Sequence, residues 1–464
     1  MTVVDNESDL VIALRVAVGH GAVVSSPDRC AEFSVDWTGR WSGTPRAVVL
    51  PSDAARVAAV IGVCRRFRVP WVPQGGNTGL VGGGVPVGGG VPVGGEVVVS
   101  TRRMRMIGVV DRDAMQVSVG AGVTLTELAN AIAPLGLLYG IDFGARDRAT
   151  IGGTIATNAG GNSVLHYGMT RAQLVGVEAV LPDGSVIRRM HGLAKDNTGL
   201  NLAQLMCGSE GTLGVITSAR LQLRPALSPR VTVALGVASV SAALDVLGHL
   251  RSVSAMVACE LMRGHDVATL CEHRGWPTPA PWSAPWALLV EAVGRSAFDE
   301  LASAIERSAD SIVGEPAVAA SQAARDGWWS VRDAQGEIAS LFGPAVKLDV
   351  SVPLHRLVEF EGGLDAALGS VAPVARTVVF GHLGDGNLHV NVAVAVDGFD
   401  AVETCVLSRV LGCGGVVSAE HGIGRLKRGW LVRDRGRPDV DAMRSIKRAL
   451  DPEGLANPGV IYPD

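Results

Sequence analysis

No Cys-x-x-Cys pair occurs in this 464-residue chain. Its seven cysteines, Cys30, Cys64, Cys207, Cys259, Cys271, Cys405 and Cys413, are odd in number and widely spaced. That spacing excludes a disulfide-framed domain and a cysteine-held iron–sulfur centre, and it favours a reduced, cytoplasmic protein. No clean run of 18 apolar residues is present, so no spanning helix is expected, while peripheral attachment to a membrane stays open. Asp5, Glu7 and Asp9 stand ahead of the first short apolar run, where a secretory signal would carry basic residues. Positive charge is not in surplus: 41 Lys and Arg face 45 Asp and Glu, which argues against a nucleic-acid surface. No convincing Gly-x-Gly-x-x-Gly follows a strand, so no ordinary NAD site is expected.

What the chain does have is apolar bulk and glycine. Hydrophobic residues make up 47% and charged residues 19%, the balance of a soluble, well-packed protein with two or three domains. The 59 glycines mark tight turns and places where backbone approaches a ligand closely.

Residues 1–44 read as a short helix, a turn at Ser25–Asp28 and a polar approach to the first domain. Ala47–Leu50 is a strand, and Asp53 caps a helix with Val57, Val60, Ile61 and Cys64 on its apolar face. Strand Val69–Val72 then leads into a glycine-rich loop, Pro73-Gln74-Gly75-Gly76-Asn77-Thr78-Gly79-Leu80 and on to Gly84. A strand entering such a loop suits a diphosphate cradle, because N–H groups without side chains can close on phosphates. A plain turn is the alternative. Val-Pro-Val-Gly-Gly follows twice, at 85–89 and 91–95, and reads as a surface excursion. Strands are expected at Val97–Val99, Met106–Val110 and Met115–Val119, and a helix from Thr124 to Ile132.

After Asp142-Phe143-Gly144 comes a second small-residue stretch, Ala149–Asn162, with Gly152, Gly153, Thr157, Asn158, Gly160 and Gly161. Its glycines permit close approach to an extended polar ligand, and its hydroxyls and amides supply hydrogen bonds. A hairpin is expected from Val175–Leu181 and Ser185–Arg188 about Pro182-Asp183-Gly184. Glu210-Gly211-Thr212-Leu213-Gly214 then enters a strand containing Ile216. A boundary falls at 224–230. Beyond it, strand Val231–Val237, helix Ala242–Leu250, a helix after Trp328-Trp329 and strand Lys347–Pro353 alternate as in an α+β domain. Arg332 and Lys347 are candidates to hold a substrate carboxylate, the one by a bidentate fork and the other as a point charge; exposed surface cations are the alternative. A helix at Asp441–Leu450 and a turn-rich tail close the chain.

The most pointed stretch is Gly381-His382-Leu383-Gly384-Asp385-Gly386-Asn387-Leu388-His389-Val390-Asn391, followed by Glu420-His421-Gly422-Ile423-Gly424. Two strands joined at Asp385-Gly386-Asn387 can bring His382 and His389 together. With Glu420 they would offer a divalent ion three ligands and leave a position open for substrate, with His421 left over as a base. Scattered histidines beside glycine-rich loops are the alternative.

With these residues in view, the sequence resembles the FAD-linked oxidases and dehydrogenases with a vanillyl-alcohol-oxidase or p-cresol-methylhydroxylase (PCMH) type FAD domain. Within them it is similar to the branch of D-2-hydroxyglutarate dehydrogenase, D-lactate dehydrogenase and the glycolate oxidase flavin subunit. The likeness runs from about residue 45 to 463 and rests on the 75–83, 152–161, 210–214, 382–391 and 420–424 stretches and on the Asp451-Pro452 to Asn457-Pro458-Gly459 ending. It implies an α+β fold: an approach segment 1–44, a two-subdomain FAD-binding domain 45–226, a substrate (cap) domain 227–415, and a C-terminal segment 416–464 returning to the FAD domain. It implies non-covalent FAD on Pro73, Gly75, Gly76, Asn77, Thr78, Gly79, Leu80, Gly144, Gly152, Gly153, Thr157, Asn158, Gly160, Gly161, Glu210, Gly214, Ile216 and Asn457. It also implies zinc, or manganese, on His382, His389 and Glu420; substrate on Arg332, Lys347 and Asn391; and His421 as catalytic base. Where that branch often has a Thr four residues after the Arg, this chain has Gly336.

The activity so implied is oxidation of a D-2-hydroxy acid, of the D-2-hydroxyglutarate or D-lactate type, to the 2-keto acid by hydride transfer to flavin N5. Electrons would leave to an electron-transfer flavoprotein, a quinone or another carrier, and a homodimer is allowed. Rival readings are a metal-independent alditol or aryl-alcohol oxidase of the same fold, a flavin subunit of a glycolate-oxidase-like complex, and a non-catalytic scaffold.

Overall fold

The computed structural model describes residues 8–86, 95–226 and 228–463. Most of the duplicated Val-Pro-Val-Gly-Gly segment lies outside them. The chain divides into two compact units: Met1–Gly160, Met169–Ala226 and His421–Asp464 form the first, Gly161–Gly168 and Leu227–Glu420 the second.

In the first unit, one small sheet has the order β1 (Val23–Val24), β2 (Ala47–Val49), β4 (Val97–Ser100), β3 (Trp71–Gln74). β2, β4 and β3 are parallel, and their unbroken apolar runs fit strands covered on both faces. Val97 and Val99 join the main core with Val57, Val60, Ile61 and Cys64 of helix Ala54–Phe67, while Val48 and Val98 face a second cluster with Phe33 and Cys30. The Asp53 side chain accepts from the Arg56 N–H and starts that helix. Helix Asp9–Val18 adds Leu10, Val11, Leu14 and Val18 to the main core, so the N-terminal segment is part of it. A second sheet is antiparallel, ordered β5 (Gln116–Gly120), β9 (Val215–Gln222), β7 (Leu174–Val180), β8 (Val186–Arg189), with the expected hairpin at β7 and β8. β6 (Leu137–Leu138) pairs with β10 (Arg224–Pro225).

Four local expectations change. β3 starts at Trp71, not Val69, because Pro70 has no N–H to enter a ladder. Met106–Val110 makes only an isolated bridge at Ile107; Val109 is 97% exposed, so the segment lacks the buried face that would hold a strand. Ile151–Thr157 is a helix, capped by the Thr150 side chain despite two glycines near its start. A side chain at Gly152 would strike Ala121, so close packing on the β5 end outweighs helix propensity there. Trp328 and Trp329 lie within helix Gln322–Asp333, which begins earlier because Ser321 caps it.

The second unit is built on one seven-stranded antiparallel sheet. Its order is β14 (Ala317–Val318), β11 (Arg230–Val237), β13 (Trp286–Val293), β12 (Met256–Arg263), β16 (Arg376–His382), β17 (Asn387–Ala393), β15 (Ala345–Ser351). One face carries a core of Met262, Leu289, Phe380 and Ala234, covered by Val331 and Ile338. The candidate polar side chains share this face.

Candidate active site

In the first unit the candidate cofactor residues converge through main chain. The loop after β3 is closed by Gln74, whose amide donates to the carbonyls of Phe33 at 3.0 Å and Gly84 at 2.7 Å. A Cβ on Gly76 would run into the Arg148 carbonyl, and one on Gly75 into the Thr150 hydroxyl. Asn77 takes a left-handed φ of 55° and donates to the Val35 carbonyl at 2.8 Å. Thr78, Gly79 and Leu80 stay partly open, and among the described residues nothing lies within 4 Å of a would-be Cβ at Gly79. Pro73 packs where Gly211 leaves room for it. Gly144 lies in the turn ahead of Thr150, with open space around it.

The 151–157 helix presents Gly152, Gly153 and Thr157, the last donating to the Gly153 carbonyl at 3.0 Å. Asn158, at φ 50°, ends it and accepts from the Arg171 N–H at 2.9 Å. Gly214 abuts the Val180 carbonyl, and Ile216 pairs with Ala179 inside the sheet.

Glu210 is the hub of this unit. Its carboxylate accepts from the N–H groups of Ile423 and Gly424, both at 2.8 Å, immediately downstream of His421. Burial, opposed by those two bonds and by the Lys427 charge, pushes its pKa up to about 7. The Asn457 amide donates to the carbonyls of Glu210 at 2.7 Å and Gly83 at 2.9 Å. Asn457 is buried, yet its Oδ1 has no partner among the described residues, and the Ser209 hydroxyl is in the same position. An orphaned acceptor on Asn457, whose amide reaches the glycine-rich loop at Gly83, fits a bound polar group such as FAD. Lys427, fully buried in a run of charged residues, escaped the sequence reading; its signal would have been its place after His-Gly-Ile-Gly.

In the second unit the candidate residues converge through side chains, and strand register explains how. Glu260 lies opposite His382, and His382 opposite Asn387. One row along, Phe380 faces His389, which faces Asp349; the next row sets Val378, Asn391 and Lys347 side by side. Rows two residues apart share a face, so all these side chains stand on one surface. The tight turn expected at Asp385-Gly386-Asn387 is present, with Gly386 at φ 78°. The rings of His382 and His389 lie 5.7 Å apart.

Ligand atoms of His382, His389 and Glu420 all fall within 4.8 Å of one another. Glu420 is placed by its backbone: its N–H and that of Ala419 donate to Asp349 Oδ2 at 2.7 and 3.1 Å. The Gly161 N–H donates to Glu420 Oε1 at 2.8 Å. Arg332 is buried and donates from Nε to Glu260 Oε2 at 2.7 Å. The other oxygen of Glu260 lies 2.9 Å from His382 Nδ1. Lys347 and Asn391 stand two rows from Glu260, and burial lowers the Lys347 pKa.

Glu260 and Asp349 escaped the sequence reading. Their signal was a lone carboxylate in an apolar strand, Val257–Met262 and Leu348–Val350 respectively. Together with Asp385 and Glu420 they put four carboxylates around two imidazoles. Burial, with Asp349 and Asp385 adding to it, raises the Glu420 pKa against the pull of His382. Two nitrogens and an oxygen in a surplus of negative charge fit a divalent cation.

Two family models match: residues 45–189 an FAD binding domain, and residues 227–461 the C-terminal domain of FAD linked oxidases. The chain belongs to the FAD-linked oxidases, and FAD is its cofactor. It is 35% identical to the mitochondrial D-2-hydroxyglutarate dehydrogenase of Bos taurus, over 99% of this chain and 84% of that one. To D-2-hydroxyglutarate dehydrogenase of Xanthomonas citri pv. viticola it is 33% identical, over 97% and 96%. p-Cresol methylhydroxylase with substrate bound has the same fold, at a TM-score of 0.75 and 16% identity, over 97% of this chain and 95% of that one. The fold is therefore the expected two-domain PCMH type.

The cytoplasmic placement is overturned: the relatives from Bos taurus, Danio rerio and Rattus norvegicus are mitochondrial proteins. The physical reason is that seven unpaired thiols report a reducing surrounding and carry no address. No helix among the described residues is long and apolar enough to cross a membrane.

Proposed function

We propose that the chain oxidises a D-2-hydroxy acid, of the D-2-hydroxyglutarate or D-lactate type, to the 2-keto acid. The observation that carries this is that Glu420 and the buried cation Arg332 converge on the sheet face that carries His382, His389 and Lys347. A 2-hydroxy acid carries a carboxylate and a neighbouring hydroxyl, and such a face can hold both. When bound, FAD supplies the hydride acceptor for C2–H, and a divalent cation, zinc before manganese, the charge that acidifies the hydroxyl.

His382, His389 and Glu420 hold that cation, and Asn391 contacts the substrate. Arg332 and Lys347 neutralise carboxylate charge. An imidazole nitrogen of His421 takes the hydroxyl proton as C2 gives up hydride, so the carbon–oxygen bond becomes the keto group. The FAD is held non-covalently, in keeping with loops 75–80 and 152–161 that contain no Cys, His or Tyr. A carrier such as an electron-transfer flavoprotein or a quinone takes the electrons onward. At Gly336 an added Cβ would lie 3.9 Å from the Phe380 ring, an ordinary contact.

The test is a panel of D- and L-2-hydroxy acids with an artificial electron acceptor, run with metal analysis on wild type and on His382→Ala, His389→Ala and Glu420→Ala. D-acids should be turned over. Each variant should keep FAD but lose metal and about 10²-fold or more of activity. A strict preference for L-acids removes the substrate reading, and full metal in all three variants removes the metal site.

A further inference from the structure

Glu260 holds neither cation nor substrate in that proposal, yet it is almost fully enclosed on the sheet face. It lies at 1% exposure on β12, directly opposite His382 in the ladder. Its two oxygens are divided: Oε1 lies 2.9 Å from His382 Nδ1, and Oε2 accepts from Arg332 Nε at 2.7 Å. His382 is itself only 5% exposed, so a carboxylate at this nitrogen decides which way the ring presents its other one. If Nδ1 carries the proton and donates to Glu260, Nε2 keeps its lone pair. Arg332 Nη2 lies 3.4 Å from Nδ1 and 3.2 Å from Nε2, so it does not distinguish the two ring nitrogens, whereas the Glu260 carboxylate does. A carboxylate that accepts from one imidazole nitrogen orients the ring and raises the basicity of the other, and such partners are worth about 10- to 100-fold in metal affinity.

We infer that Glu260 is a positioning residue for the cation site: it locks His382 with Nδ1 protonated and Nε2 presented as the ligand atom. The assignment rests on the reading of His382 as a ligand. The competing role is purely structural, in which Glu260 serves only as the buried counter-charge of Arg332.

The experiment uses the full-length FAD-loaded protein, stripped of metal, and reads zinc binding by competition with a chromogenic chelator. Wild type, Glu260→Gln and His382→Ala are compared. In Glu260→Gln, with FAD retained, zinc affinity should fall by about 10- to 100-fold, and turnover should recover as zinc is raised. His382→Ala should not recover at any zinc concentration. Unchanged zinc affinity in Glu260→Gln, with only thermal stability lowered, overturns the inference and leaves the cation site standing. Equal zinc binding by His382→Ala and wild type overturns the ligand reading itself, and the inference with it. Should Glu260→Gln fail to fold, imidazole 15N shifts of the metal-free wild type decide, at a pH where the ring is neutral. A protonated Nδ1 on His382 supports the inference, and a protonated Nε2 overturns it.

Discussion

The first unit offers its ligand a main-chain surface; the second offers side chains. At the loop after β3 the working features are glycines packed against neighbouring main chain and an orphaned acceptor on Asn457, whose amide donates to the Gly83 carbonyl. On the β12–β16–β17–β15 face they are imidazoles, carboxylates and a guanidinium set in rows by strand register. A main-chain surface refuses added atoms wherever backbone packs on backbone, as at Gly76. A side-chain surface depends on each functional group but has its backbone fixed by the ladder.

The largest expected effect tests the first half of that contrast. Gly76→Ala should lose FAD and about 3 kcal/mol of unfolding free energy, because its Cβ meets the Arg148 carbonyl. Gly79→Ala, in the same loop but with nothing within 4 Å, should stay within about 0.5 kcal/mol of wild type. Flavin absorbance and denaturant unfolding measure both; a stable, yellow Gly76→Ala would break the contrast.

His421 provides a separate test. It begins the C-terminal return of the chain to the first unit, directly after Glu420. His421→Asn should keep FAD and metal yet slow flavin reduction by about 10²-fold, as removal of a general base does. Stopped-flow reduction and metal analysis decide. Metal lost in proportion to rate would make His421 a ligand or its support.

A third test concerns charge in the main-chain surface. Burial raises Glu210 from an ordinary 4.5 to about 7. Between those values the folded chain holds a proton that the unfolded chain has released. Glu210 therefore costs stability as pH rises through that window, and the cost levels off above it. Glu210→Gln removes the ionisation. Its unfolding free energy relative to wild type should grow by about 3 kcal/mol from pH 4.5 to 7. A difference that does not change with pH would show that Glu210 is an ordinary carboxylate there.

Legibility divides along the same line. The glycine loops were visible because glycine at fixed places has a local cause, and the capped helices Ala54–Phe67 and Leu125–Ile132 followed from Asp53 and Thr124. The helix at Ile151–Thr157 was hidden because Gly152 answers to Ala121 and not to its neighbours in sequence. The placing of Gly161 beside Glu420 was hidden for a similar reason: its partner lies 259 residues away.

By itself the sequence determined the strand–turn–strand from Arg376 to Ala393, since period-two alternation and Asp385-Gly386-Asn387 set His382 and His389 on one face. Such spacing is local, and the pleat converts it directly into geometry. Only tertiary structure decided that Glu260, 122 residues before His382, lies opposite it, and that Asp349 receives the N–H groups of Ala419 and Glu420. Those partners depend on which strands become neighbours and in what register. That choice is made by burying the whole apolar face at once, and no window of the chain contains it.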